Sequence, residues 1–190
     1  MAYEEPDYTV LETYDSFELR RYVPFWVAET LVSDEFDEAG SRAFRRLFGF
    51  IKNDERPEGK IAMTVPVIQQ PVAQEKASSP GSRGEALPAE QPTTYRFAFF
   101  MPSEYTREEL PTPADESIRI RQTASRVLAA RRYSGTWSED LYRENEKILL
   151  EAVEAAGLKM IGEPIFARYN APFSLWFLRR NEVLVEVEAP

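Results

Sequence analysis

The chain has 190 residues and a formal net charge of −9, and it contains neither histidine nor cysteine. Zinc sites built on those residues, thiol chemistry and catalysis by an imidazole are therefore excluded. The acidic balance argues against nucleic acid as a partner. The first ten residues carry no apolar signal segment and the longest apolar runs are only strand-sized, so we expect a cytoplasmic protein without membrane insertion.

The first half of the chain is predicted to contain strands followed by a helix and further strands. Alternating apolar and polar residues at 17–22 indicate a half-buried strand, and residues 26–32 indicate another. Apolar residues recur at helical spacing over 36–51 and predict the first helix. Residues 60–69 and 95–101 then have the composition of strands.

The second half shows the same order of elements. Residues 118–121 and 127–133 are predicted to be strands, and Ser138 is placed to begin a second helix. Two closing strands are predicted at 165–169 and 176–187. The order therefore suggests that the chain contains two related halves.

We expect one domain over residues 1–190, with halves at about 8–101 and 115–188 and a mobile loop at 71–93 that is rich in Pro, Gly, Ser and Glu. The predicted fold class is α+β. Duplicated strand-helix-strand halves would form a curved antiparallel sheet with both helices packed against it. A cleft between helix and sheet in such a fold is a common ligand site.

Three segments are more specific than this pattern requires. They read FELRRY at residues 17–22, KIAMTVPV at 60–67 and RRNEV at 179–183. In this order and spacing they resemble the SOUL haem-binding protein family, and the likeness runs from about Tyr8 to the C-terminus. The resemblance implies a twisted antiparallel β-barrel-like sheet flanked by two α-helices, a fold shared with gyrase-inhibitor-like proteins. It also implies a soluble protein that binds haem or another tetrapyrrole, for buffering or transport.

The resemblance places the ligand in an apolar groove between the first helix and the loop before the last strand. On the helix it assigns Ser41, Phe44, Leu47, Phe48 and Ile51, with Arg42 and Arg45 close enough to meet propionates. On the loop it assigns Ala171, Pro172, Phe173, Leu175 and Trp176.

Some family members carry a histidine where this chain has Arg21. A guanidinium has no free lone pair for iron, so Arg21 cannot replace that ligand. Because the chain contains no histidine at any position, a His-ligated haem is excluded. Ligation by tyrosine or methionine is feasible in principle, the candidates being Tyr22, Tyr169, Met63 and Met160. Binding by apolar contact and arginine–propionate pairing is the simpler expectation.

Other interpretations remain open from the residues alone. The aromatic residues of the first helix could simply be core, and the cleft could serve as a generic multidrug-sensor-like site for flat or cationic compounds. The loop at 71–93 could instead make the chain a protein-interaction module. No glycosidase pair, P-loop or dinucleotide glycine motif is present, so we expect no enzyme and no catalytic residue.

Overall fold

The computed structural model describes residues 3–53, 59–72, 93–171 and 173–189. Nine strands, two α-helices and a short 3-10 turn occur in these ranges. In chain order they are β1 (Tyr8–Thr13), β2 (Glu18–Tyr22), β3 (Trp26–Ser33), α1 (Phe36–Ile51), β4 (Val67–Pro71), β5 (Thr94–Phe100), β6 (Ile118–Gln122), β7 (Arg126–Tyr133), α2 (Glu139–Ala155), β8 (Met160–Arg168), the 3-10 turn (Trp176–Leu178) and β9 (Asn181–Val187).

All nine strands form one antiparallel sheet in the order β1-β2-β7-β9-β8-β4-β5-β3-β6. The order is symmetric about the β4–β8 pair: β5 and β9, β3 and β7, and β6 and β2 occupy matching places, with β1 added at one edge. This arrangement is what two repeated halves would produce. The predicted α+β class, with an antiparallel sheet and two helices, is confirmed.

The two helices pack against one face of the sheet. Helix α1 has acidic residues in its first turn, which favours a helix start there, and it buries Ala39, Ala43, Leu47 and Ile51 against β3 and β5. Each large apolar side chain buried in this way contributes about 1.5–3 kcal/mol. Neither helix of the described chain is long and apolar enough to cross a bilayer.

The opposite face of the sheet, which we call the helix-free face, has an apolar cluster around Tyr22, Leu128 and Leu184 and also a buried charged network. Glu182 is fully buried there and accepts hydrogen bonds from Arg20, Tyr169 and Arg180. The network is charge-assisted, which is how a buried carboxylate is tolerated.

Three predicted strands were partly wrong. The strand expected at 165–169 already begins at Met160 and ends at Arg168. The strand expected at 60–69 begins only at Val67, because Pro66, which follows a cis peptide bond, has no N–H for a ladder. The strand expected at 176–187 begins only at Asn181, because Leu178 N donates to Leu175 O and closes the local turn instead. Most of the loop predicted at 71–93 lies outside the described residues.

Candidate ligand-binding groove

A groove of about 710 Å³ runs between α1, the residues that precede β4, and the end of β8. We call it the α1 groove. Its volume lies within the range of small-molecule sites, about 300–1,000 Å³. The described residues that line it are Tyr3, Gly40, Ser41, Phe44, Arg45, Phe48, Lys52, Met63, Val65, Val67, Trp137, Arg168, Asn170, Ala171 and Phe173.

Two stacked phenylalanines form the helix wall of the groove. Phe44 and Phe48 are one helical turn apart, and their ring centres lie 5.4 Å from each other with an interplanar angle of 16°. Phe44 also packs on Phe99 of the core, while Phe48 is 37% exposed. Such a wall offers flat apolar area to a planar ligand.

The charged residues in the described lining of the groove are all basic. Arg45, Lys52 and Arg168 line it, and no described lining residue is an aspartate or glutamate. This is notable in a chain whose net charge is −9. The electrostatic environment therefore favours a ligand that carries negative charge.

Arg168 is a half-buried residue of the groove lining. Its guanidinium lies 4.8 Å from the ring centre of Phe166 and 5.6 Å from that of Trp137. Nη2 donates to the side-chain oxygen of Gln69, whereas Nε is buried and has no hydrogen-bond partner. Burial lowers the pKa of Arg168 to about 10, an effect that the carboxylate of Asp37 partly opposes.

Half of the site residues predicted from the sequence come together here. The structure places six of them on the groove lining: Ser41, Phe44, Arg45, Phe48, Ala171 and Phe173. Leu47 and Ile51 lie on the other side of α1, at most 1% exposed, because their positions belong to the stripe that packs on the sheet. They therefore have no surface to offer a ligand in the α1 groove.

The remaining predicted residues are dispersed. Arg42 lies outside the lining and pairs with Asp34 at 3.0 Å. Leu175 and Trp176 are 58% and 59% exposed and project from the 3-10 turn region rather than into the groove. Pro172 lies outside the described residues.

Several lining residues were missed by the sequence reasoning. Val65 and Val67 belong to the KIAMTVPV segment of the family resemblance, which was not assigned to the groove, and Met63 of the same segment was considered only as a possible iron ligand. Arg168 had a detectable signal, since it is a lone charge directly after the apolar run Ile165, Phe166 and Ala167 of a closing strand. Trp137 precedes α2, and only the tertiary fold brings it to the groove, where its Nε1 donates to Asn181 at 2.9 Å.

The candidate iron ligands are distributed over different parts of the fold. Arg21 lies exposed on β2, and β7 and β9 separate that strand from β8. Tyr22 and Tyr169 belong to the helix-free face, where burial raises the pKa of each hydroxyl. Among the described lining residues, Met63 and Tyr3 carry atoms that can ligate iron.

A second cavity, of about 530 Å³, opens where β3 begins and where β5 and β6 end. Two of its four charged lining residues have partners: Glu4 accepts from the Ser103 backbone N–H at 2.7 Å, and Glu5 pairs with Arg180 at 2.9 Å. Within the described ranges, no group of three carboxylates converges as a metal site would require. The α1 groove is therefore the better candidate.

The chain is similar in sequence to one protein family and to two named proteins, and it is similar in fold to several solved structures. A family profile described as "SOUL heme-binding protein" matches residues 3–186. Heme-binding protein 2 of Mus musculus is 29% identical over 199 residues, covering 97% of this chain and 90% of the mouse protein. Heme-binding protein 2 of Homo sapiens is 27% identical over 183 residues, covering 91% and 82%.

Solved structures share the fold at low identity. The EcmrR C-terminal domain matches with a TM-score of 0.65 and 10% identity, over 96% of this chain and 99% of that domain. A hydrolase encoded by lin2189 from Listeria innocua matches with a TM-score of 0.57 and 11% identity, over 91% and 92%. At this identity the likeness concerns the fold alone.

Proposed function

The chain belongs to the SOUL heme-binding protein family, and from this membership we propose that it binds haem or a related tetrapyrrole in the α1 groove. The observation that carries the proposal is the combination of a stacked phenylalanine wall with basic residues only along the lining. A planar apolar ligand with acidic substituents matches both features.

The residues of the groove have separable roles in this proposal. Phe44 and Phe48 cover one face of the ligand, and Met63, Val65 and Val67 provide the facing apolar surface. Arg45 and Lys52, at the exposed side, meet acidic substituents. Because the chain has no histidine, no imidazole ligates iron, and apolar contact supplies most of the affinity.

We extend the proposal to a role in buffering or transport in the cytoplasm, without catalysis. A groove that holds a tetrapyrrole by its faces releases it again, since no His–iron bond slows its departure. The sequence carries no motif for an enzymatic step on the ligand. The alternative of a site for cationic compounds is disfavoured, because three basic and no acidic described residues line the groove.

The proposal is tested by titrating hemin into the protein and following the Soret band. We expect saturable binding that Phe48→Asp weakens about tenfold or more, because the change removes apolar contact and puts a negative charge beside the ligand. Leu31→Asp is the matched control, since Leu31 is 52% exposed on β3 and outside the groove lining. A hemin spectrum unchanged by the wild-type protein, or an equal effect of both variants, would contradict the proposal.

Haem that is held without an axial ligand from the protein also has a spectroscopic test. Tyr3→Phe and Met63→Leu each remove a ligating atom from the groove while keeping apolar bulk. We expect both variants to keep the Soret maximum of the wild-type complex. A shifted maximum in one of them would identify that residue as an iron ligand and overturn this part of the proposal.

A further inference from the structure

Arg168 is a half-buried charge without an ion-pair partner among the described residues. It ends β8, directly after three fully buried apolar residues, and its guanidinium lies between aromatic rings. Among the described residues it forms no ion pair within 4.0 Å, and Asp37 influences it only at longer range. Desolvating a cation without a paired anion costs stability, and a bound carboxylate would offset that cost.

The guanidinium is nevertheless held in a defined position. Gln69, 1% exposed, accepts from Nη2, and its own amide donates to the backbone oxygen of Phe36 at 3.2 Å, which fixes the orientation of the acceptor. A guanidinium has five N–H donors, and the hydrogen bond to Gln69 is the one that Arg168 makes to a described residue. The Arg168 guanidinium therefore has N–H donors without a partner, and Gln69 already fixes its position.

Helix α1 makes room for this group at Gly40. A Cβ atom at that position would lie 3.1 Å from Nη1 and 3.3 Å from Nη2 of Arg168. Gly40 and Arg168 both line the α1 groove, so the end of the guanidinium lies along the groove wall where α1 carries no side chain.

We propose that Arg168 is the residue by which the α1 groove selects ligands that carry a carboxylate, through a charge-assisted hydrogen bond from its free donors. This inference rests on the proposed function and names the substituent that the site recognises. Arg168 differs from Arg45 in this role: Arg45 is exposed, and its Nε donates to Ser41 O of its own helix at 3.3 Å. An exposed cation in water contributes little discrimination, whereas a desolvated one contributes more.

The test compares protoporphyrin IX with its dimethyl ester, which has the same macrocycle but no free carboxylate. Binding of each to the full-length protein is measured by porphyrin fluorescence in the same detergent. We expect the wild-type protein to prefer the free acid by roughly tenfold to a hundredfold, the range of one hydrogen bond to a charged group. Arg168→Met should abolish most of this preference while leaving ester affinity nearly unchanged.

Three further variants keep the test decisive. Arg168→Lys retains the charge without the planar fork and should keep only part of the preference. Arg121→Met removes an exposed arginine that pairs with Glu29 on the sheet and should keep all of it. If Arg168→Met proves unfolded by circular dichroism, Gly40→Ala provides the test, because it displaces the guanidinium without removing it.

The outcomes separate this inference from the proposed function. Equal binding of acid and ester by the wild-type protein would overturn the role of Arg168 and leave tetrapyrrole binding standing. A preference for the free acid that is unchanged in Arg168→Met would likewise overturn the role of Arg168 and leave tetrapyrrole binding standing. Failure of both porphyrins to bind would overturn the proposed function and this inference together.

Discussion

Arg20 and Glu182 are 162 positions apart in the chain, yet Arg20 Nη1 donates to Glu182 Oε2 at 2.8 Å inside the helix-free face of the sheet. The carboxylate also accepts from the Tyr169 hydroxyl at 2.8 Å and from Arg180 Nη2 at 3.0 Å. This network ties β2 to β9 across the intervening β7. Arg180 and Glu182 of the RRNEV segment therefore lie on the face away from the α1 groove, whereas Arg179 and Asn181 contact Trp137 of the groove lining.

Removing the charge of Glu182 is expected to destabilise the fold strongly. Glu182→Gln leaves Arg20 and Arg180 facing each other without their shared carboxylate, so the free energy of unfolding in urea should fall by about 3–5 kcal/mol. Glu139→Gln is the control, since it breaks an exposed i,i+4 pair with Arg143 and should cost about 0.5 kcal/mol or less. If Glu182→Gln also cost only about 0.5 kcal/mol or less, the buried network would add no more stability than an exposed ion pair.

The buried tyrosines predict a loss of stability at alkaline pH. Burial raises the pKa of Tyr22 from 10.0 to about 12 and raises those of Tyr133, Tyr142 and Tyr169 as well. The folded state therefore keeps protons that the unfolded chain releases above its value of 10.0. The stability from these groups is complete below pH 10.0 and is lost as pH rises through the folded values.

Phenolate absorbance recorded together with near-ultraviolet circular dichroism checks this expectation. Ionisation of the buried tyrosines should coincide with the loss of tertiary structure, rather than precede it. Tyr142→Phe is the informative variant, because the Tyr142 hydroxyl is buried without a hydrogen-bond partner. We expect this variant to resist alkaline unfolding to a higher pH, and an unchanged or lower midpoint would argue against the linkage.

Two glycines of α1 should respond differently to alanine. At Gly49 a Cβ meets nothing within 4 Å, so Gly49→Ala should raise the free energy of unfolding by about 1 kcal/mol through helix propensity alone. At Gly40 the same Cβ crowds the Arg168 guanidinium, so Gly40→Ala should gain clearly less or lose stability. Urea unfolding of both variants measures the difference. Equal gains would mean that the Arg168 side chain moves aside without any loss in the free energy of unfolding.

Histidine introduced at two positions should have opposite spectroscopic effects on bound hemin. Arg21→His restores the residue that some family members carry, but Arg21 lies outside the described groove lining, so the Soret band of the complex should stay that of the wild type. Met63→His places an imidazole in the groove and should shift the band towards a ligated form. A shift in Arg21→His would locate haem at β2 instead of the α1 groove.

The sequence predicted elements whose pattern is local. The helical spacing over α1 and α2 and the alternation of β2 and β6 are set by which face of each element is buried, and these elements were predicted close to their observed bounds. Elements bounded by specific backbone events were less predictable. The start of β4 after Pro66 and the 3-10 turn before β9 depend on which N–H groups find partners, and that is decided outside each segment.

The site residues also divide into those that a local sequence pattern indicates and those that only the tertiary structure identifies. Helix α1 carries apolar residues on two stripes, and spacing alone cannot say which stripe meets the sheet. Phe44 and Phe48 face the groove, whereas Leu47 and Ile51 face the core, because β3 and β5 cover that side of the helix. Arg168 and Trp137 come from segments distant in sequence, so no local pattern could have joined them to α1.

The sequence by itself determined the chemistry that is ruled out and the family to which the chain belongs. The absence of histidine and cysteine excludes an imidazole or thiolate ligand wherever a metal would lie, because no folding can supply a missing side chain. The tertiary structure alone decided that Arg168 is desolvated beside Gly40 and Gln69 in the α1 groove. Burial and donor geometry arise only when β8, β4 and α1 pack together, and they make this one arginine of the groove the basis of its proposed selectivity.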